Sequence, residues 1–304
     1  MAIKIRRLGI LIALTMVLLL GAVLIALSYT SVGITDSVEA GEVPLALPDF
    51  SKVPESVAQD ATELAISLYG DYQVKYEGFV NQLLATYVEA EDKDIVVIFN
   101  PGGWGWNLVD ESPGWRSIFD GINSELVDLG YSSLLLDYRR TEDTFRGIID
   151  EFVEIIAAYP SKADELAYRV DFLTSHIPEV KVIIAGESVG TIISDRTMSL
   201  LRDNSRVYSI QTGRPFWHKG LMAERTLLLN DNGVNPDSLS SGDIISMLRA
   251  SLKAAFGLSS LEDEAPGKIF HFVRAPGHDY NWEYPTVCAQ ITSFLKSNLG
   301  FKQN

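Results

Sequence analysis

Val180-Lys181-Val182-Ile183-Ile184-Ala185-Gly186-Glu187-Ser188-Val189-Gly190-Thr191-Ile192-Ile193 is the stretch from which the fold can be read. It opens on a short, almost wholly apolar run rich in β-branched residues. Such runs mark strands buried on both faces, as in parallel sheets. A Gly-x-Ser-x-Gly turn follows. Val189, Ile192, Ile193, Leu200 and Leu201 then supply the apolar positions of a helix. The order is strand, tight turn, helix.

Working outward, the same texture recurs at Asp94–Phe99, Tyr131–Asp137, Val207–Gln211, Thr226–Asn230 and Ile269–Val273. Helical stretches fall between most of these runs: Trp115–Leu129, Thr144–His176 with a break at Pro160, Ser188–Arg202, Gly242–Phe256 and Tyr284–Leu299. Strand alternating with helix predicts a mostly parallel sheet with helices on both faces. Ligands of such sheets sit at the carboxyl ends of the strands, so chemistry is to be sought just after each run.

Before Asp94 the chain reads differently. Lys4, Arg6 and Arg7 precede an uncharged apolar run from Leu8 to about Tyr29, long enough to cross a bilayer. Basic residues before it and Asp36, Glu39 and Glu42 after it predict a cytoplasmic N-terminus and an extracytoplasmic domain. The alternative is a secreted protein, its signal cleaved after Ala26-Leu27-Ser28 or Val38-Glu39-Ala40. The expected organisation is an anchor or signal segment at 1–30, a linker at 31–53, a helical extension at 54–93 packed on the core, and a catalytic domain at 94–304.

The net charge is −15, although the first thirty residues are basic, so the folded part is acidic and disfavours nucleic acid. The single cysteine, Cys288, excludes an intramolecular disulfide and reads as an apolar helix residue. No zinc-protease pattern, dinucleotide fingerprint or phosphate loop occurs, so neither cofactor nor metal is expected.

Gly186-Glu187-Ser188-Val189-Gly190 puts a serine on a turn whose strained backbone would push the hydroxyl into the open, with a helix N-terminus behind it. Roughly 0.1–0.2 matches to these five letters arise by chance in a chain this long. The strand before and the helix after are what raise Ser188 to candidate nucleophile.

Of four histidines, His271 lies inside an apolar run, His176 ends a helix, and His218 sits in a loop. His278 follows the last run in Ala275-Pro276-Gly277-His278-Asp279, where a general base could reach a serine hydroxyl. The acid that orients it should leave the preceding run. There Asp237 is preferred and Asp231 is the alternative. Asn100-Pro101-Gly102-Gly103-Trp104-Gly105-Trp106 ends the first run. The amides of Gly103 and Trp104, with that of Val189, are candidate donors to an oxyanion. Trp104 and Trp106, with Trp115, are candidate walls for an acyl group.

Together these residues resemble the α/β-hydrolase superfamily over about Asp94–Leu299. The order Ser188, acid, His278 is that superfamily's order. Leu136-Asp137-Tyr138-Arg139-Arg140 also resembles one of its strand ends. The resemblance implies a three-layer fold with a sheet of about six to eight strands. It implies hydrolysis of an ester, thioester or amide through an acyl-serine, carboxylesterase-like or lipase-like, on a small-molecule or lipid-like acyl substrate. Asn235-Pro236 stands where many such enzymes carry Asp-Pro. An acyltransferase, a serine peptidase, or a binding or scaffold protein that kept the fold would look similar.

Overall fold

The computed structural model describes residues 50–70, 73–103, 105, 107–140, 159–220, 224–255, 268–270 and 273–302. The apolar run at 8–29 lies outside them. Among the described residues no helix is long and apolar enough to cross a membrane.

After a 3-10 turn at Phe50–Lys52 come two helices, α1 (Glu55–Tyr69) and α2 (Gln73–Ala90). Then come β1 (Ile95–Asn100), α3 (Pro113–Asp128), β2 (Ser133–Asp137), α4 (Pro160–His176), β3 (Lys181–Glu187), α5 (Gly190–Leu200), β4 (Val207–Thr212) and β5 (Thr226–Leu229). The last part holds a one-turn helix α6 (Ser238–Ser241), α7 (Ile244–Ala255), short strands β6 (Lys268–Phe270) and β7 (Val273–Arg274), and α8 (Pro285–Leu299).

Five strands form one parallel sheet in the order β2-β1-β3-β4-β5. Alternate residues of β1 enter different layers, as a period of two requires. Val96 and Ile98 pack with Val57, Phe79, Leu83, Leu166 and Ile192 from α1, α2, α4 and α5. Ile95, Val97 and Phe99 pack with Trp115, Ile118 and Ile122 of α3 and with Val287 and Ile291 of α8. The protein is therefore an α/β fold with helices on both faces of a parallel sheet.

One expectation changes. Among the described residues the parallel sheet has five strands rather than six to eight, and Lys268–Phe270 pairs antiparallel with Val273–Arg274 as a separate two-stranded sheet. Three-residue and two-residue strands are too short to add a full ladder to the large sheet. The helices of 54–93 share their hydrophobic cluster with β1 and β3, and residues Pro48–Asn304 form one compact unit.

Candidate active site

The Gly-x-Ser-x-Gly turn joins β3 to α5. Ser188 has φ +51°, a left-handed conformation that costs a non-glycine residue about 1–2 kcal/mol and persists only where its surroundings impose it. Those surroundings are specific. The Ser188 amide donates to the Thr212 carbonyl at the end of β4 (2.9 Å), and the Ser188 carbonyl accepts from the Thr191 amide and hydroxyl (3.0 and 2.7 Å).

Both glycines are explained by close approach. A Cβ on Gly186 would lie 2.6 Å from Ser194 Oγ and 3.1 Å from Thr191 Cα. One on Gly190 would lie 2.3 Å from the Asn100 carbonyl oxygen. The motif lets the helix sit against β3 and β1 at once.

His278 and Asp237 meet on the other side of β4. Nδ1 of His278 lies 2.9 Å from Oδ2 of Asp237, and both side chains are buried. Oδ2 also accepts from the Tyr280 hydroxyl and the Ser240 hydroxyl (2.8 Å each). Oδ1 accepts from the Leu239 and Ser240 amides (2.8 and 3.1 Å), so Asp237 also N-caps α6. Burial alone would raise the Asp237 carboxyl. The bond and charge of His278, with the Ser240 contacts, outweigh it and hold the carboxyl below the ordinary range. Burial and the charge of Asp237 push the Tyr280 phenol far up, so it remains a donor.

The two loops that carry this pair are strapped together. The Ser238 amide donates to the Pro276 carbonyl (2.9 Å). A Cβ on Gly277, φ +76°, would lie 2.3 Å from the Pro236 carbonyl oxygen. Asn232, fully buried, donates to the carbonyls of Gly277 and Asp279 (3.3 and 2.8 Å) and accepts from the Val234 and Asn235 amides (2.8 and 2.9 Å). Asp231, the alternative acid, is exposed. It caps its own turn by accepting from the Gly233 amide (2.7 Å) and is not bonded to His278.

Ser188 and His278 converge on one peptide. The Ser188 amide bonds Thr212, and the imidazole packs on the next residue, where a Cβ on Gly213 would lie 2.5 Å from His278 Cε1. The Ser188 hydroxyl itself is buried and makes no hydrogen bond among the described residues. Histidine and aspartate are thus joined directly, and the serine stands beside them with its hydroxyl uncommitted.

The loop after β1 is shaped by two side chains that sequence reading passed over. Glu187, the residue before Ser188, accepts from the Gly102 amide at 3.1 Å. Burial raises its carboxyl, opposed by the Gly102 amide and the fields of His278 and Arg140. Arg140, buried, donates to the Pro101 carbonyl, stacks over the Tyr159 ring and fills the space beside Gly105. Its own amide donates to the Gly105 carbonyl (2.9 Å). The Gly102 amide is taken by Glu187 and the Gly105 amide by the Gly102 carbonyl (3.2 Å). Among the described residues of the loop, Gly103 is left with an amide to offer. Val189 precedes the first turn of α5, where amides have no helical partner. Trp104 and Trp106 lie outside the described residues.

Trp115 is not a pocket wall. It is buried in the core against Phe99 and donates from Nε1 to the Thr212 hydroxyl (3.0 Å), bracing the end of β4. The other histidines are engaged elsewhere. His176 bridges Asp60 and the Phe172 carbonyl (2.9 and 2.8 Å). His218 sits in a loop, as expected, but is mostly buried there, its Nε2 lying 3.0 Å from Asp195 Oδ2. His271 lies outside the described residues. Cys288 is on α8 and only partly buried.

No family model matches the chain, and no curated protein does. Among solved structures it is similar to Trichoderma reesei cutinase in complex with a C11Y4 phosphonate inhibitor. The TM-score is 0.35 at 14% identity, over 62% of this chain and 86% of that one. A likeness of that size does not bear on activity.

Proposed function

We propose that this chain is a serine hydrolase that cleaves an ester, thioester or amide through an acyl-Ser188 intermediate, with a carboxylic ester preferred. The observation that carries the reading is the 2.9 Å contact between His278 Nδ1 and Asp237 Oδ2, beside a serine at φ +51°.

In this reading Ser188 Oγ attacks the carbonyl carbon while Nε2 of His278 takes its proton. Nδ1–H stays bonded to Asp237, whose buried charge stabilises the imidazolium. The carbonyl oxygen, now an oxyanion, is received by the amides of Gly103 and Val189, with Trp104 a further candidate. His278 returns the proton to the leaving group as the tetrahedral adduct collapses. Water then repeats the sequence on the acyl-serine and frees the acid. The bond from Ser188 to His278 forms when substrate orders the site, since catalytic hydrogen bonds tighten in the bound complex. Neither metal nor cofactor takes part.

A binding protein on the same fold is the second reading, and the unpartnered Ser188 hydroxyl is what favours it. Labelling the full chain with a fluorophosphonate probe separates the two. Labelling that disappears in Ser188→Ala supports the hydrolase. A well-folded chain that never labels supports the binding protein.

A further inference from the structure

Helix α7 wears its large apolar residues on the outside. The face it turns to β7 carries Met247, Ala250, Ser251 and Ala254, all partly buried, and Ser251 Oγ accepts from the Arg274 amide at 2.9 Å. Ile244, Ile245, Leu248 and Leu252 lie on the opposite face, each between 49% and 64% exposed. A helix serving only the core of its own domain places such residues inward. Phe216 and Trp217 extend the patch, 44% and 50% exposed. The Phe216 ring lies 3.1 Å from where a Cβ on Gly242, at the entry to α7, would stand. A contiguous apolar surface of this kind marks an interaction site.

We propose that this face docks on the surface of a phospholipid bilayer. Three features single out that partner. Arg249 and Lys253 are exposed on α7, and the one acid at the helix is Asp243, which caps its first turn, in a chain whose net charge is −15. An apolar stripe edged by cations is the composition of a helix lying in the membrane interface, where anionic headgroups offset the repulsion of the rest of the domain. Trp217 and Phe216 beside it are side chains suited to the headgroup level. The sequence also carries the uncharged run Leu8–Tyr29, which is long enough to span a bilayer. With such a tether, docking becomes an intramolecular event, and a modest patch suffices.

A second copy of the chain fits less well. A two-fold contact would bring the Arg249 and Lys253 cations of both protomers to one interface, with no anionic surface to receive them. Helix α7 follows Asp237 through α6 and Gly242, so docking would fix the distance between the candidate site and the lipid. The inference stands apart from catalysis, and its test does not read activity.

The test uses the full chain with Cys288→Ser and Leu248→Cys, labelled with a small fluorophore. It is reconstituted in vesicles of phosphatidylcholine with a minor part of phosphatidylglycerol. Asp203→Cys, exposed near the amino end of β4, is the control position. The label at 248 is expected to be quenched by spin-labelled lipid and shielded from aqueous iodide, with the reverse at 203. Adding Ile245→Asp, or raising the salt, is expected to cut the lipid quenching severalfold, while the melting curve stays unchanged. Equal iodide access at the two positions overturns the proposal. So does shielding at 248 from both quenchers with self-quenching between labels, which would assign the face to a second copy.

Discussion

Among the described residues two aspartate–histidine contacts of nearly equal length are largely buried, and only one of them is a candidate for catalysis. Asp237 meets His278 at 2.9 Å, and Asp195 meets His218 at 3.0 Å. The difference lies in what else surrounds each carboxylate. Asp195 on α5 also takes Arg214 (3.3 Å) and the Gln211 amide (2.9 Å), so its charge is already neutralised by a permanent cation. Asp237 takes hydroxyls and amides and no permanent cation, so its charge is available to a proton arriving on His278. His278 packs on Gly213, next to the residue that holds Ser188. His218 sits in the loop beyond and faces the side of α5. A short aspartate–histidine contact is therefore insufficient evidence of function; what else the carboxylate holds and what the imidazole packs on decide.

The sharpest way to break the comparison is to remove the nucleophile. Ser188→Ala is expected to lower kcat for ester hydrolysis by at least about 10⁴-fold, and His278→Gln by a similar amount. Residual turnover near the wild-type rate in Ser188→Ala would end the acyl-serine reading. Next, Asp237→Asn is expected to cost about 10³–10⁴-fold in kcat, because an amide neither stabilises the imidazolium nor fixes its tautomer. Asp231→Asn should leave kcat as it is. Equal losses in the two variants would mean that the acid loop acts only through its shape.

Gly213→Ala tests the packing that brings the two halves together. The residue sits at φ +67°, and the new methyl would overlap the imidazole of His278. A shift of about 1 Å in a reacting group can cost roughly 10²-fold, seen in kcat with KM little altered. The mirror experiment belongs to the other pair. Asp195→Ala leaves Arg214, Gln211 and His218 unpaired and is expected to lower stability by about 3 kcal/mol in denaturant unfolding. Its kcat should match wild type; a collapse of kcat in folded protein would bring the second pair into the mechanism.

The sequence disclosed the parts of this site that obey local rules. The turn at Gly186–Gly190 is legible because a strand, a strained serine and a helix are contiguous. His278 is legible because it follows the last apolar run. Asp237 and Asp231 were not separable by spacing: what divides them is that Asn232 and Gly277 pin the two loops together, and that contact spans some forty residues of sequence. Tyr280, Asn232 and Arg140 were missed for the same reason, each acting on a partner distant in sequence. At 269–273 apolar composition could not tell a strand of the parallel sheet from the separate antiparallel pair that Lys268–Phe270 makes with Val273–Arg274. Trp115 was misjudged because aromatic residues near a glycine loop look alike whether they face a pocket or the core.

Glu187 offers the smallest effect and a clean sign. Its carboxyl is raised by burial and lies between the Gly102 amide, Arg140 and His278. A group whose folded pKa lies above its unfolded value favours the folded state fully below the unfolded pKa. That contribution is lost as pH rises through the folded pKa. Above the folded pKa, where Glu187 is ionised, its burial is thus a cost to folding. Glu187→Gln keeps an oxygen for the Gly102 amide and removes the charge. Above the folded pKa the melting temperature is therefore expected to rise by a few degrees at most, and the gain to vanish in acid, where the wild-type carboxyl is already neutral. A melting temperature that falls above the folded pKa would mean that the charge is needed to hold the loop, through Arg140 or the His278 side of the site. Glu187 would then belong with Asp237, as a carboxylate kept ionised by its neighbours.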